Sequence, residues 1–409
     1  MVLDKFGLSA YDLRVLVGLN FLSVRRSFIR QSTVAAAAVA VGPLSVTRAT
    51  AQAPSRKIKV GVIGCGSVST KYLPHLAQSP FVELVCTCDI IPERAEQAAV
   101  RHKIPHHYPH IDRMLAGTSF DLFVDLTDMQ EHERLNRQAL EAGKHVWSEK
   151  PIANSLAAGQ ALLGLARQKG IRLWGAPTAV QSPHFAFMAK TLGAGTLGRL
   201  ASGHASYGHL GPDWAPFFYT KGGGSLPDLG VYNLTTLTGL LGPARAVAAM
   251  TSIVTPTRKI RGQGEVTVTA EDNAMILIDH GNGVLSHIQS GFNYFTPHEH
   301  DFDRQDHHTI TITGTGGTMG LAGYDWAPHA VDLATSENPA FKRHADAKHD
   351  YVWQNGAALV AECLATGREP LFTPEHALHV VEIMIAARES QETGRRISLR
   401  SKFKWPIVS

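Results

Sequence analysis

Cysteine is scarce. The 409 residues hold four, Cys65, Cys86, Cys88 and Cys363. So sparse a set excludes a disulfide framework. No second Cys or His pair stands at ligand spacing to make a zinc site of them. Cys86 and Cys88 share one face of a predicted strand and read as buried structural residues. A bilayer-length apolar run is missing as well. The alanine-rich stretch Ser32 to Val46 is too short and mild to span a membrane, and Pro43 interrupts it. An excess of one charge is missing too. The formal +4 comes from residues 1–51, which carry six basic and two acidic side chains; the remainder holds 33 of each. That balance gives no support for a nucleic-acid or membrane-surface partner. No internal repeat is visible, and the length exceeds what one core usually serves, so two domains are expected.

Residues 1–51 read as an address. Arg25-Arg26-Ser27-Phe28-Ile29-Arg30 has the form of a twin-arginine export signal. The apolar stretch follows, then Ala49-Thr50-Ala51 offers small residues for a cut before Gln52. The expectation is a periplasmic or otherwise extracytoplasmic protein with no stable membrane insertion after cleavage. A disordered extension and a retained anchor are the alternatives. The twin-arginine route carries folded cargo.

Residues 57–177 read as a dinucleotide-binding domain. Ile58 to Ile63 is a short apolar run ending at Gly64-Cys65-Gly66-Ser67-Val68-Ser69, with a helix predicted through about Gln78. Gly64 permits the tight turn, and Gly66 lets a pyrophosphate approach the backbone. Ser67 and Val68 open the helix, whose N-terminus offers free N–H groups to phosphates. The third motif position is Ser69 rather than Gly or Ala, which loosens helix–strand packing. A second strand, Val82 to Cys88, ends at Asp89. An acid there accepts from both ribose hydroxyls and repels a 2′-phosphate, which favours NAD; Arg94 keeps NADP open. Asp121–Thr127, His145–Ser148 and Arg172–Gly175 read as further strands, with a helix from Glu131 to Ala142 stopped by Gly143. The alternation predicts a doubly wound parallel sheet.

Lys150 follows a strand directly, in Glu149-Lys150-Pro151. Ligands sit beyond the carboxyl ends of strands in open parallel sheets. A partly desolvated lysine beside nicotinamide is then an acid/base candidate; a surface ion pair is the plain alternative.

Three motif groups together resemble the Gfo/Idh/MocA oxidoreductases, from Lys57 to Leu399. They are Gly61-Val62-Ile63-Gly64-Cys65-Gly66; Ala142-Gly143-Lys144-His145-Val146 running into Glu149-Lys150-Pro151; and Gly222-Gly223-Gly224-Ser225-Leu226 leading to Asp228-Leu229-Gly230. The tail from Thr373-Pro374-Glu375 to Thr393-Gly394-Arg395-Arg396 is similar to the family's closing helix. The resemblance implies Lys150 as the catalytic lysine, with Asp228 positioning it or the substrate. It also implies that Thr127, His132 and Glu149 border the cofactor; a structural role is the alternative for His132. Many members carry His where this chain has Tyr232. A phenol there can relay the alcohol proton, with Lys150 lowering its pKa; a packing residue is the alternative. Asp128 stands where the family often has Pro.

Residues 178–399 read as an α/β substrate domain. Strands expected at Leu200–Tyr207, Val247–Ile253, Ala274–Asp279, Val284–Gln289 and Thr309–Thr313 lack βαβ spacing, so an open, mostly antiparallel sheet is predicted. The resemblance implies that this sheet makes a homodimer or homotetramer. The turn-rich aromatic segment Tyr207 to Tyr219, followed by Lys221, reads as a substrate lid, with Asp213, Trp214 and Lys221 as carbohydrate contacts; plain packing is the alternative. His298, His300, His307 and His308, with Asp301, Asp303 and Asp306, lack a clean ligand spacing and read as a solvated loop. No metal is expected. Ser336 to Asp350 reads as a polar surface excursion, Val352–Leu364 and Glu375–Thr393 as helices.

The expected activity is hydride transfer between nicotinamide and a hydroxyl or ketone of a sugar, cyclitol or glycoside. Two alternatives remain: an exported glycosidase or sugar–sugar oxidoreductase that retains its NAD(P) and uses it cyclically, and a non-catalytic sugar- or dinucleotide-binding protein.

Overall fold

The structure is a computed structural model that describes residues 56–295, 307–344 and 351–408. The export-signal reading of residues 1–51 lies outside the described residues, as do His298, His300, Asp301, Asp303 and Asp306.

The first half alternates strand and helix: β1 Ile58–Ile63, α1 Ser69–Gln78, β2 Val82–Cys88, α2 Pro92–His102, β3 His106–Tyr108, α3 Ile111–Ala116, β4 Leu122–Asp125, α4 His132–Glu141, β5 His145–Ser148, α5 Leu156–Gln168 and β6 Leu173–Gly175. The six strands pair in parallel in the order β3-β2-β1-β4-β5-β6. That is the doubly wound order, with its switch point between β1 and β4. β1, β2 and β5 have the predicted bounds, because each is a buried apolar run cut off by a turn residue. β4 is shorter than predicted, since Leu126 and Thr127 leave the ladder to form a loop.

The second half contains α6 Pro183–Gly193, β7 Leu200–Gly208, α7 Val231–Leu241, β8 Ala246–Ser252, β9 Thr257–Ile260, β10 Gly264–Thr267, β11 Asn273–Gly281, β12 Val284–Gly291, β13 His308–Gly314, β14 Gly317–Tyr324, β15 Ala327–Thr335, β16 Lys342–His344, α8 Gly356–Thr366, α9 Pro374–Thr393 and β17 Ile397–Ser398. Among the described residues nine strands form one sheet, β16-β15-β14-β13-β7-β12-β11-β8-β17, in which only β7 and β12 run parallel. β9 and β10 make a separate hairpin. β14 and β15 are absent from the sequence reading, and β16 falls inside the expected surface excursion, paired to β15. Glycine and alanine fill β14, so it carries little of the β-branched signal that marks a strand.

Helices α6, α7 and α9 cover one face of this sheet. The other face exposes Met250, Met275, Leu277 and Leu285. α8 returns to the first sheet and packs on β1 and α1, so both halves belong to one unit beginning at Ala53. Packing continues past residue 399: Phe403 stacks on His376, and Trp405 Nε1 donates to the Gly239 carbonyl. No described helix is long and apolar enough to cross a membrane.

Candidate active site

The site begins where β1 stops. Gly64 adopts φ 83°, and a Cβ there would lie 2.6 Å from the Leu126 backbone. Only glycine fits this turn without strain. Gly66 is different: nothing stands within 4 Å of where its Cβ would be. That empty space opens on a groove of about 480 Å³, lined also by Gly64, Asp89, Arg94, Thr127, Asp128 and Arg134. A side chain at Gly66 would fill the groove rather than disturb the fold. Ser69 is buried and donates its hydroxyl to the Gly66 carbonyl at 2.7 Å, so it closes the turn. Asp89 accepts from the N–H groups of Cys65 and Ile91 at 2.7 and 2.8 Å, which fixes its carboxylate beside the groove. Burial pushes the Cys65, Cys86 and Cys88 thiols each up to about 12, which keeps them unreactive.

A second cavity, about 270 Å³, lies on the other side of the turn. Ser67, Val68, Thr127, His132, Glu149 and Lys150 all border it. Several of these side chains are already committed. Asp125 accepts from the Thr127 N–H and hydroxyl. Burial raises the Asp125 pKa. His132 is buried and bridges the carbonyls of Pro151 (2.8 Å) and Thr127 (3.0 Å), clamping the loop after β4 to the segment after β5. Glu149 accepts from Tyr72 Oη at 2.6 Å and from the Lys150 N–H at 3.0 Å. The strands thus present the walls of a chamber whose side chains hold one another in place.

Lys150 Nζ donates to Asp228 Oδ1 at 2.7 Å and to the Asp228 carbonyl at 3.0 Å; the two side chains are 12% and 13% exposed. Asp228 sits in a π-helical turn, Leu226–Gly230, that runs into α7. Such widened turns are common at functional sites. Tyr232 stands four residues on, and Lys150 Nζ lies 5.4 Å from its ring centroid. The expected lowering of the Tyr232 pKa by Lys150 is corrected here. Burial first, then the negative charges of Glu149 and Asp228 and the neighbouring Tyr207, push the phenol well above its ordinary value. The ammonium faces the ring and is matched by Asp228.

Lys150, Trp214, Phe218, Asp228, Tyr232 and Trp353 also line a third cavity, of about 520 Å³, closed by Tyr207, His209, Asp213, Arg261 and Trp326. Thr127 joins the first two cavities in the same way, so the three form one row. Asp213 and Trp214 line it. Lys221 does not: it is exposed and lines neither inner cavity, and its carbonyl accepts from Gln130. The chain leaves the row after Phe218, and Lys221 falls outside it. Trp326, Trp353 and Arg261 escaped the sequence reading. Trp326 lies in the β14–β15 turn and Trp353 before α8; aromatic residues in otherwise polar loops were their only signal. A cavity of about 660 Å³ between β6 and the C-terminal tail is lined by Thr373, Pro374 and Glu375 but by no residue of the glycine turn, of Glu149–Pro151 or of Asp228–Gly230.

Among the described residues no group of three or more His, Cys, Asp or Glu is placed to hold a metal. His308 pairs instead with Asp332 at 2.7 Å.

Two family models match the chain. "Oxidoreductase family, NAD-binding Rossmann fold" covers residues 58–176, and "GFO/IDH/MocA C-terminal domain" covers residues 185–320. The chain belongs to the Gfo/Idh/MocA family and is an NAD(P)-dependent oxidoreductase with an NAD-binding Rossmann domain. It is 26% identical to the D-apiose dehydrogenase of Paraburkholderia graminis over 85% of this chain and 91% of that protein. It is 24% identical to the trans-1,2-dihydrobenzene-1,2-diol dehydrogenase of Mus musculus over 81% of this chain and 96% of that one. The aldose–aldose oxidoreductase of Caulobacter crescentus, solved with glycerol, shares the fold at TM-score 0.72 and 21% identity, with 84% and 100% of the two chains covered. A levoglucosan dehydrogenase solved with NADH and levoglucosan does so at 0.73 and 20%, with 84% and 99% covered.

The dinucleotide fits the residues present. The open space at Gly66 suits a pyrophosphate, and Asp89 stands where an adenosine ribose would place its hydroxyls. The chamber bordered by Thr127, Glu149 and Lys150 would take the nicotinamide.

Proposed function

We propose that this enzyme oxidises a hydroxyl, or reduces the matching ketone, of a neutral sugar, cyclitol or glycoside. The observation that carries the reading is the Lys150–Asp228 pair at the seam of two cavities, one suited to nicotinamide and one walled by aromatic rings. NAD, when bound, supplies the hydride acceptor. A substrate hydroxyl brought against Lys150 Nζ meets a positive charge that favours its alkoxide, and its proton leaves through the Lys150–Asp228 pair. Trp214, Trp326 and Trp353 offer ring faces to the apolar side of a sugar. Tyr232 and Phe218 exclude water from the seam.

Neutrality follows from the charges in the chamber. Lys150 is matched by Asp228, and both Asp213 oxygens accept from Arg261 Nη2. His209 Nδ1 accepts the Gly211 N–H. A substrate carboxylate or phosphate would have to break one of these pairs. The test is a panel of matched sugars, such as glucose against glucuronate and glucose 6-phosphate, read by nicotinamide absorbance. Turnover at least ~10-fold better with the neutral member is expected. Preference for the anionic members would contradict the reading, and silence across a broad panel would remove it.

A second reading retains the cofactor between turnovers, as in a sugar–sugar oxidoreductase or an oxidation–elimination glycosidase. The Arg25-Arg26 motif favours it, because NADH outside the cytoplasm has no ready means of reoxidation. Copurified NAD(H) and product formed without added cofactor are its signature. We propose export for the same reason, and a homodimer or homotetramer built on the apolar face at Met250, Met275, Leu277 and Leu285. Fractionation and light scattering test these two proposals.

A further inference from the structure

We propose that the adjacent acids Glu271 and Asp272 tie the substrate lid to the turn that carries Asp228, so that lid position sets the geometry of the Lys150–Asp228 pair. The inference rests on the reading of that pair as the reacting centre.

Glu271 lies between β10 and β11, half-buried against the start of the π-helical turn. Its Oε2 accepts from the Ser225 N–H at 2.7 Å and the Ser225 hydroxyl at 3.0 Å, and its Oε1 accepts from the Leu226 N–H at 3.0 Å. These N–H groups open the segment that holds Asp228, and such groups need an acceptor from outside the helix. A carboxylate is the strong choice. Gly224 lets the carboxylate approach, since a Cβ there would collide with it. Burial holds the Glu271 carboxyl up at about 7, offset in part by these donors and by Arg388 of α9. Arg388 also donates to the Gly223 carbonyl at 3.1 Å.

Asp272 is fully buried and faces the other way. Its Oδ1 accepts from Val254 N–H at 2.7 Å; its Oδ2 accepts from Thr255 N–H at 3.1 Å and from Arg258 Nη2 at 3.3 Å. Arg258 then reaches into the lid. Its Nη1 donates to the Leu210 carbonyl at 2.7 Å, and its guanidinium lies 5.2 Å from the Tyr219 ring centroid. Tyr219 Oη donates in turn to the Pro212 carbonyl at 2.7 Å. Both ends of the segment 210–219 are therefore held by one arginine, and that arginine is held by Asp272 together with Asn293 Oδ1 at 2.6 Å and the Phe292 carbonyl at 2.8 Å. Between them lie Asp213 and Trp214, which line the substrate cavity. One peptide bond separates the acid that anchors the lid from the acid that anchors the Asp228 turn.

A buried network of this kind is stiff because a lost partner leaves a charge or N–H uncompensated. A lid drawn onto substrate pulls on Arg258 and Asp272, and Glu271 passes the shift to Ser225 and Leu226. Glu271, Asp272 and Arg258 are thus positioning residues. A physical claim of coupling needs a measurement at both sites.

Hydrogen–deuterium exchange of the full chain supplies it without turnover. Arg258→Met is expected to speed amide exchange at least ~10-fold in residues 210–219 and also in 225–228, leaving β1 unchanged. Glu271→Gln is expected to do the same in both segments. Exchange raised only on the mutated residue's own side overturns the tie. If Arg258→Met also exposes β1, the milder Arg258→Lys decides by the same comparison. In steady state Arg258→Lys should lower kcat as well as raise KM; a residue serving the lid alone would raise KM only. An inactive protein with coupled exchange would end the redox reading and leave the tie standing, and an active one with uncoupled exchange would end the tie alone.

Discussion

The dinucleotide groove and the substrate chamber are built on opposite plans. The groove is made of backbone and of missing side chains: a glycine at φ 83°, a second glycine beside empty space, and helix N–H groups. The chamber is made of side chains, aromatic walls with two ion pairs between them. A surface made of backbone recognises what all dinucleotides share. A surface made of side chains recognises one substrate class and can change without disturbing the sheet beneath.

This contrast can be broken most sharply at the two glycines. Gly66→Leu is expected to weaken NADH binding at least ~100-fold with little change in thermal midpoint, because its side chain enters only the groove. Gly64→Ala is expected to cost about 2–3 kcal/mol of stability as well, since φ and the Leu126 backbone both oppose a Cβ. Calorimetric titration and thermal unfolding of both variants separate the two effects; identical behaviour would erase the distinction.

Buried ionisable groups extend the contrast to pH. Burial depresses His376 to about 3 and His379 to about 4, and raises Glu271 to about 7 and Asp325 to about 6. The histidines take up protons only on unfolding. Their contribution is complete above 6.5, their ordinary value, and is lost as pH falls toward their folded values. The two acids keep their protons in the folded state, so stability falls as pH rises from their ordinary values, 4.5 and 3.8, toward 7 and 6. Across roughly pH 5–6 the two sets oppose. Relative to wild type, His379→Gln should make stability fall by about 1.4 kcal/mol per added pH unit, and Glu271→Gln should make it rise by as much. Denaturant unfolding at several pH values reads both slopes, and equal slopes in all three proteins would contradict the assignment.

The smallest effect belongs to the rim. Asp213→Asn frees an exposed Arg261, and the pair's side chains are 55% and 77% exposed, so stability should change by less than about 1 kcal/mol. KM for anionic sugars should fall a few-fold while KM for neutral sugars barely moves. A large stability loss would show that the pair is structural.

The same contrast explains what the sequence disclosed. β1, β2 and β5, the glycine turn, Asp89 and Lys150 are local: a short apolar run, a break, and the chemical group at its end. Asp228 and Tyr232 came from a motif as well, but the consequence for Tyr232 did not, because its pKa depends on residues that arrive from other elements, Glu149 and Tyr207 above all. Lys221 was misplaced because sequence proximity to the lid says nothing about where the lid turns. Trp326, Trp353 and Glu271 reach the site only through tertiary folding, with no periodicity to betray them. β14 was hidden by its glycines and alanine, which carry little of the β-branched signal that marks a strand.

The central claim is that proton handling resides in Lys150 held by Asp228 at the meeting point of the two plans. The direct measurement is single-turnover reduction of NAD by the best neutral sugar, in wild type and in Lys150→Met, with NADH affinity determined on the same preparations. The account predicts a rate at least ~100-fold lower in the variant and an unchanged fold. Equal rates in the two proteins, with cofactor bound equally well, would contradict it.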